Sequence, residues 1–383
     1  DLSLGAADGG HATGDVLTNI ENLNGSNFAD ALTGDGFSNN LTGQQGNDTL
    51  IGLGGEDTLS GGAGTDLISY AASGAPVSVD LLLGQGVGGD AAGDVYVSIE
   101  NVIGSSGNDT ILGSSANNEI TGGDGADDLS GGAGDDTLLA GAGTDTVSGG
   151  AGADEIDGGT GLNTASYAGS SAGVTVNLTT NTNAGGDAAG DTLTSIQNVD
   201  GSSHADSLTG EGGDNYIQGL GGDDTLQGRA GADTLDGGDG RDTASYADSA
   251  QGVNALLFVG NLGIGGDAEN DQLLNIENLT GSGFNDTLSG DENANVISGG
   301  AGNDTIEGRA GADTLQGGAD ADTLQYVNSV QGVNVNLETG AGVGGDAAGD
   351  VVSGFEILVG SLLDDTLTAE NTGSTLRGND GAD

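Results

Sequence analysis

A single apolar residue returns every nine positions along most of the chain. Leu32, Leu41, Leu50, Leu59 and Ile68 form the first series. Each lies in a three-residue stretch such as Thr49-Leu50-Ile51, and six residues of turn chemistry separate it from the next, as in Gly52-Leu-Gly-Gly-Glu-Asp57. Side chains alternate along a strand, so the apolar residue points inward and its neighbours point out. Glycine admits the positive φ that tight turns need. The pattern predicts an all-β chain of very short strands, none able to hold itself. Stacking them gives two parallel sheets around a thin aliphatic core, with same-sheet strands about 4.8 Å apart. Leu32, Leu50 and Ile68 should line one sheet and Leu41 and Leu59 the other.

The nonapeptides come in runs. Runs occupy residues 25–69, 104–166, 201–245 and 281–325, and a fifth occupies 360–383. Linkers occupy 70–103, 167–200, 246–280 and 326–359, with a partial linker at 1–24. Each full linker opens on a tyrosine (Tyr70, Tyr167, Tyr246, Tyr326) and closes on an Ile-Glu-Asn-like stretch. The super-repeat is 79 residues, but Tyr70 and Tyr167 are 97 apart, an excess of 18 or two nonapeptides. Adding one full turn keeps the exit on the same side, so the excess points to an 18-residue turn. Residues 1–5 align with 80–84 inside a linker, and Asp383 stands at position six of a nonapeptide. Arrays need atypical capping repeats, so the expectation is a window from a longer array.

Composition sharpens this picture. The chain has 383 residues, 81 of them Gly, with 59 acidic side chains against 4 basic ones and a formal charge of -55. Little apolar surface is available to bury, and such a chain, bare, is expected to repel itself and stay disordered. Nucleic acid is excluded as a partner, because phosphate binding needs Lys and Arg. No run approaches the ~20 apolar residues of a membrane span; the longest apolar patch, residues 256–259, is far shorter. Without Cys there are no disulfides or thiolate metal sites.

The charge finds its order at position six of the nonapeptide G-G-x-G-x-D-x-U-x, where U is apolar. The aspartates there are Asp30, Asp48, Asp57, Asp66, Asp109, Asp127, Asp136, Asp145, Asp154, Asp206, Asp224, Asp233, Asp242, Asp286, Asp304, Asp313, Asp322, Asp365 and Asp383. Stacking 18 residues apart places Asp48 beside Asp30 and Asp66, a repulsive column unless a divalent ion sits between each pair. Carboxylates and turn carbonyls, with no N or S ligands, suit a hard cation of Ca²⁺ type. Asn or Ser replaces the aspartate at Asn39, Asn118, Asn163, Asn215, Asn295 and Ser374. Those sites should bind weakly or stay empty, or the Asn is simply a turn residue. The other acids, at positions two, five, seven and nine, are assigned to solubility.

The nonapeptide resembles the calcium-binding repeat of RTX (repeats-in-toxin, haemolysin-type) proteins. The resemblance covers the runs, somewhat over half of the chain. It implies a right-handed parallel β-roll with two nonapeptides per turn, many Ca²⁺ ions between adjacent turns, and bacterial type I secretion in an unfolded state. Small β-rich linker modules would join the rolls into a rod.

The linkers hold a second set of acids in a Gly-Gly-Asp-Ala-Ala-Gly-Asp loop: Asp90 and Asp94, Asp187 and Asp191, Asp267 and Asp271, Asp346 and Asp350. These form either a further Ca²⁺ site or a solvated acidic turn. His11 replaces the first acid of the earliest copy. The linker tyrosine is expected to cap the aliphatic stack, its hydroxyl reaching water. Enzyme signals are weak. The Gly169-Ser170-Ser-Ala-Gly173 segment matches a nucleophile motif without the strand-turn-helix context it needs. Gly84-x-Gly86-x-x-Gly89 matches the dinucleotide fingerprint with no helix after it. His11 and His204 sit in unrelated contexts. The expected function is that of a non-enzymatic extracellular or cell-surface calcium-binding protein, structural or adhesive, that folds on Ca²⁺ after secretion. Self-association into fibres and a glycan or cell-surface partner fit it. Two alternatives stand beside it: the export and folding module of a toxin or hydrolase, and a glycan- or ice-binding face built from outward threonines.

Overall fold

The structure is a computed structural model that describes residues 1–383 except Val259, Asn261, Asn371 and Thr372. Val259, the last residue of the apolar patch noted above, therefore lies outside the described residues. Among the described residues there is no α-helix. Three-residue strands, some extended to five, six or seven, alternate with glycine turns, and five 3₁₀ turns occur at Gly10–Ala12 and in the four full linkers. The chain divides into two compact units, residues 1–170 with 181–198, and residues 171–180 with 199–383.

In the first unit the strands stack as two parallel sheets. Asn40 pairs with Thr58 in one sheet and Thr49 with Leu67 in the other. Glu119 pairs with Thr137 and Asp128 with Thr146 further along. Within a run every step is 18 residues, so two nonapeptides make one turn. The second unit keeps the same step, as in Leu208↔Leu226 and Leu288↔Ile306. Each unit is a parallel β-roll solenoid. The apolar residue of each strand forms its core: Leu41, Leu50, Leu59 and Ile68 are fully buried, as are Leu208, Leu226, Leu288 and Ile306 within 1%.

Two ladders of side chains bind turn to turn. Position six reaches back: the Asp48 amide donates to Asp66 Oδ1 (2.8 Å), and the Asp109 amide to Asp127 Oδ1 (2.8 Å). Position five reaches forward: the Thr65 amide donates to Asn47 Oδ1 (3.1 Å), the Ala153 amide to Asp135 Oδ1 (3.1 Å) and the Ala232 amide to Asp214 Oδ1 (2.8 Å). The position-five aspartates Asp135, Asp214, Asp223 and Asp364 thus hold the turns together, which corrects their assignment to solubility alone.

Each full linker is a joint. At the first, one sheet runs straight through, Ile68 to Val102 to Ile120. The other is closed by Val95–Val97, parallel to Thr58–Ala63. It reopens with Ser78–Asp80, parallel to Thr110–Ser114, and Gln85–Val87 runs antiparallel between them. The fourth linker repeats this with Val351–Ser353, Ala341–Val343 and Asn334–Asn336.

Candidate metal centres

The nonapeptide turn brings the position-six carboxylate against the position-one glycine. A Cβ on Gly43, Gly52 or Gly131 would collide with the carboxylate of Asp48, Asp57 or Asp136. Only glycine leaves that seat open. The carboxylate's Oδ1 accepts the amide of the residue 18 positions earlier. The other oxygen has no protein partner. In thirteen aspartates Oδ2 is buried and unpaired: Asp48, Asp57, Asp66, Asp127, Asp136, Asp145, Asp154, Asp224, Asp233, Asp242, Asp304, Asp313 and Asp322.

An unsatisfied buried polar atom costs about 1–3 kcal/mol, and more when charged. Thirteen of them exceed the whole stability of a typical domain, about 5–15 kcal/mol. Burial pushes these carboxyls up, to about 7 for Asp57, Asp224 and Asp313 and to about 6 for Asp127, Asp136, Asp233 and Asp304. At neutral pH these seven are therefore partly ionised, with the second oxygen unpaired. A hard divalent cation fits this donor set: it would take the bare Oδ2 and cancel the charge. Among the described residues no three His, Cys, Asp or Glu side chains converge on one metal position. Such an ion would therefore draw most of its ligands from turn carbonyls, which the glycines leave uncovered.

The remaining position-six residues behave otherwise. Asp109, Asp206, Asp286 and Asp365, each first in its run, accept from the amide and the hydroxyl of Ser105, Ser202, Ser282 and Ser361. They also take the amides of the linker residues Val77, Val174, Val253 and Val333. Asp30 accepts the Ser26 amide. Asp383, exposed, accepts the Asp365 amide (3.0 Å). The Asn positions fill their own seats: Asn118 Oδ1 accepts the Ser114 amide, and its Nδ2 donates to the Glu100 carbonyl.

The linkers supply surrogate carboxylates for both faces. Asp94 Oδ1 accepts the Asp57 amide (2.8 Å), and Asp191, Asp271 and Asp350 do the same for Asp154, Asp233 and Asp313. Their second oxygens accept the hydroxyls of Tyr70, Tyr167, Tyr246 and Tyr326, at 2.6, 3.0, 3.2 and 2.8 Å. These tyrosines are at most 2% exposed. The expectation that their hydroxyls reach water is thus corrected: each is an internal donor, held protonated by burial and the neighbouring carboxylate. Asp90, Asp187, Asp267 and Asp346 sit half-buried on the 3₁₀ turns, their amides donating to Ser73, Ser170, Ser249 and Ser329 Oγ. Sequence reasoning missed Glu100, Glu277 and Glu356, whose carboxylates accept the amides of Asp66, Asp242 and Asp322 (2.8, 2.9, 3.0 Å). The recurrent Ile-Glu-Asn-like stretch was the signal available.

The enzyme-like motifs have structural explanations. Ser170 is the linker-turn serine just described, followed by the strand Thr175–Asn177. Gly84–Gly89 lies around Gln85–Val87 and a 3₁₀ turn. His11 and His204 are exposed. A threonine ladder exists at Thr287, Thr305 and Thr323 but ends against Ile357.

The family model for the RTX calcium-binding nonapeptide repeat (4 copies) matches residues 33–68, 103–138, 130–165, 200–226, 209–244, 275–306 and 289–324, together just over half of the chain. No curated protein matches it.

Proposed function

Because the chain belongs to the RTX calcium-binding nonapeptide repeat family, and is thus a calcium-binding repeat protein, we propose that it is an extracellular structural or adhesive protein whose fold is switched on by Ca²⁺ after export. The observation that carries this reading is the row of thirteen buried carboxylate oxygens without a partner. In this reading those thirteen aspartates are the ion-bearing members of position six. The first-in-run aspartates and the linker Asp94, Asp191, Asp271 and Asp350 serve as hydrogen-bond acceptors that start and close each roll. The runs carry the calcium and the linkers keep register between them. Affinities in the range of extracellular modules, about 10⁻⁴–10⁻³ M, would leave the chain unfolded in the cytosol.

An array of calcium-binding repeats suits a surface fibre, sheath or adhesin stalk. Negative-stain microscopy with and without Ca²⁺ tests the structural role. Calcium-dependent filaments or sheets are expected. Discrete particles at every protein concentration in saturating Ca²⁺ would count against it.

A further inference from the structure

The four full runs end on the same construction, with one copy different from the other three. The last position-six residue of a run gives its amide to a linker side chain 34 or 35 residues on. Asp66 pairs in this way with Glu100, Asp242 with Glu277 and Asp322 with Glu356. In the second run both members are neutral: Asn163 gives its amide to Gln197 Oε1 (2.9 Å). Acid is matched with acid at three joints and amide with amide at the fourth. No joint mixes them.

The surroundings match atom for atom. At the acid joints the bare Oδ2 of Asp66, Asp242 or Asp322 and a linker carbonyl (Ser98, Asn275 or Gly354) close together on the position-one glycine: Gly61, Gly237 or Gly317. These three aspartates are completely buried. At the amide joint Asn163 Oδ1 accepts the Asp145 amide (3.0 Å), the task Oδ1 performs throughout the ladder. Nδ2 stands where the others have Oδ2. It donates to the Gly158 carbonyl (2.8 Å) and the Ser195 carbonyl (3.2 Å). The linker carbonyl that receives an N–H at this joint has, at the other three, the bare Oδ2 of the position-six aspartate beside it instead. Acceptors facing acceptors in a buried place require a positive charge between them.

We propose that each acid joint binds one divalent cation shared between roll and linker. Asp66 and Glu100 hold it at the first joint, Asp242 and Glu277 at the third, and Asp322 and Glu356 at the fourth, with the linker carbonyl as a further ligand. The joint of Asn163 and Gln197 binds none, because the carboxamide N–H groups fill the cation's place. The glutamates of the linkers are thereby metal ligands outside the nonapeptide. The inference rests on the calcium reading of the repeats.

Counting bound Ca²⁺ by native mass spectrometry at saturation tests it, with circular dichroism in Ca²⁺ as the control for folding. The double variant N163D/Q197E should bind one more ion than the parent chain, and D66N/E100Q one fewer. A folded N163D/Q197E with an unchanged count overturns the proposal. If that variant does not fold, D66N/E100Q decides, and an unchanged count there overturns it. A D66N/E100Q chain that fails to fold in Ca²⁺ also overturns it, because the amide joint folds without an ion. A parent chain that takes up no calcium would instead overturn the repeat reading itself.

Discussion

Each position-six aspartate divides its two oxygens between two tasks. Oδ1 is a structural acceptor, a role Asn performs equally well, as Asn163 shows. Oδ2 requires a cation or a proton. Where the chain has no ion to offer, it supplies a donor: serine at the start of a run, tyrosine at the linker. Tyr167→Phe should therefore leave Asp191 Oδ2 buried and unpaired and lower stability in Ca²⁺ by about 1–3 kcal/mol. Thermal or denaturant unfolding in Ca²⁺ checks this, and an unchanged midpoint would show that water serves as well. Protons compete for the same oxygens. Burial raises Asp57, Asp224 and Asp313 to about 7 in the metal-free fold, against about 3.9 in an unfolded chain. A carboxyl raised on folding favours the fold below its unfolded value and opposes it increasingly as pH rises through its folded value. The metal-free fold is thus least disfavoured in acid and most dependent on calcium above about pH 7. Conversely, calcium must displace protons at lower pH. The Ca²⁺ midpoint should rise between about pH 8 and about pH 6; a midpoint constant over that range contradicts the assignment.

At the scale of the element, the nonapeptide is legible because its two periods are local. Glycine and aspartate fix the turn, and one apolar residue in nine fixes the inward face. The 18-residue excess in the second run anticipates the pairing step seen in Glu119↔Thr137. Deleting residues 131–148 should leave a chain that still folds cooperatively with Ca²⁺. Deleting 131–139 exchanges the two faces at the next joint and should broaden or abolish the transition, as followed by circular dichroism. Equal behaviour of the two deletions would argue against a two-nonapeptide turn. The joints were less legible. Tyr70 meets Asp94 across 24 residues and Asp66 meets Glu100 across 34. No local period marks such partners; only the recurrence of the linker does. The division within position six had a visible mark as well. Gly-Ser opens every run, at Ser26, Ser105, Ser202, Ser282 and Ser361, and that serine bonds the aspartate four residues on.

For the molecule as a whole, the governing quantity is a charge of -55 on a chain that buries little more than one apolar residue per nonapeptide. Basic residues do not offset it: among the described residues the ion pair of Arg229 with Asp248, at 2.9 Å, stands alone. The hydrogen-bond ladders hold successive turns in place, but they leave thirteen buried oxygens bare. On the proposed reading fold and metal form one equilibrium, with disorder as the calcium-free state. Far-UV circular dichroism through a Ca²⁺ titration, followed by addition of chelator, addresses this directly. The account predicts a disordered spectrum without calcium, a cooperative change to a β spectrum on adding it, and complete reversal by chelator. A chain that keeps the same β spectrum and a cooperative melt in excess chelator would contradict it.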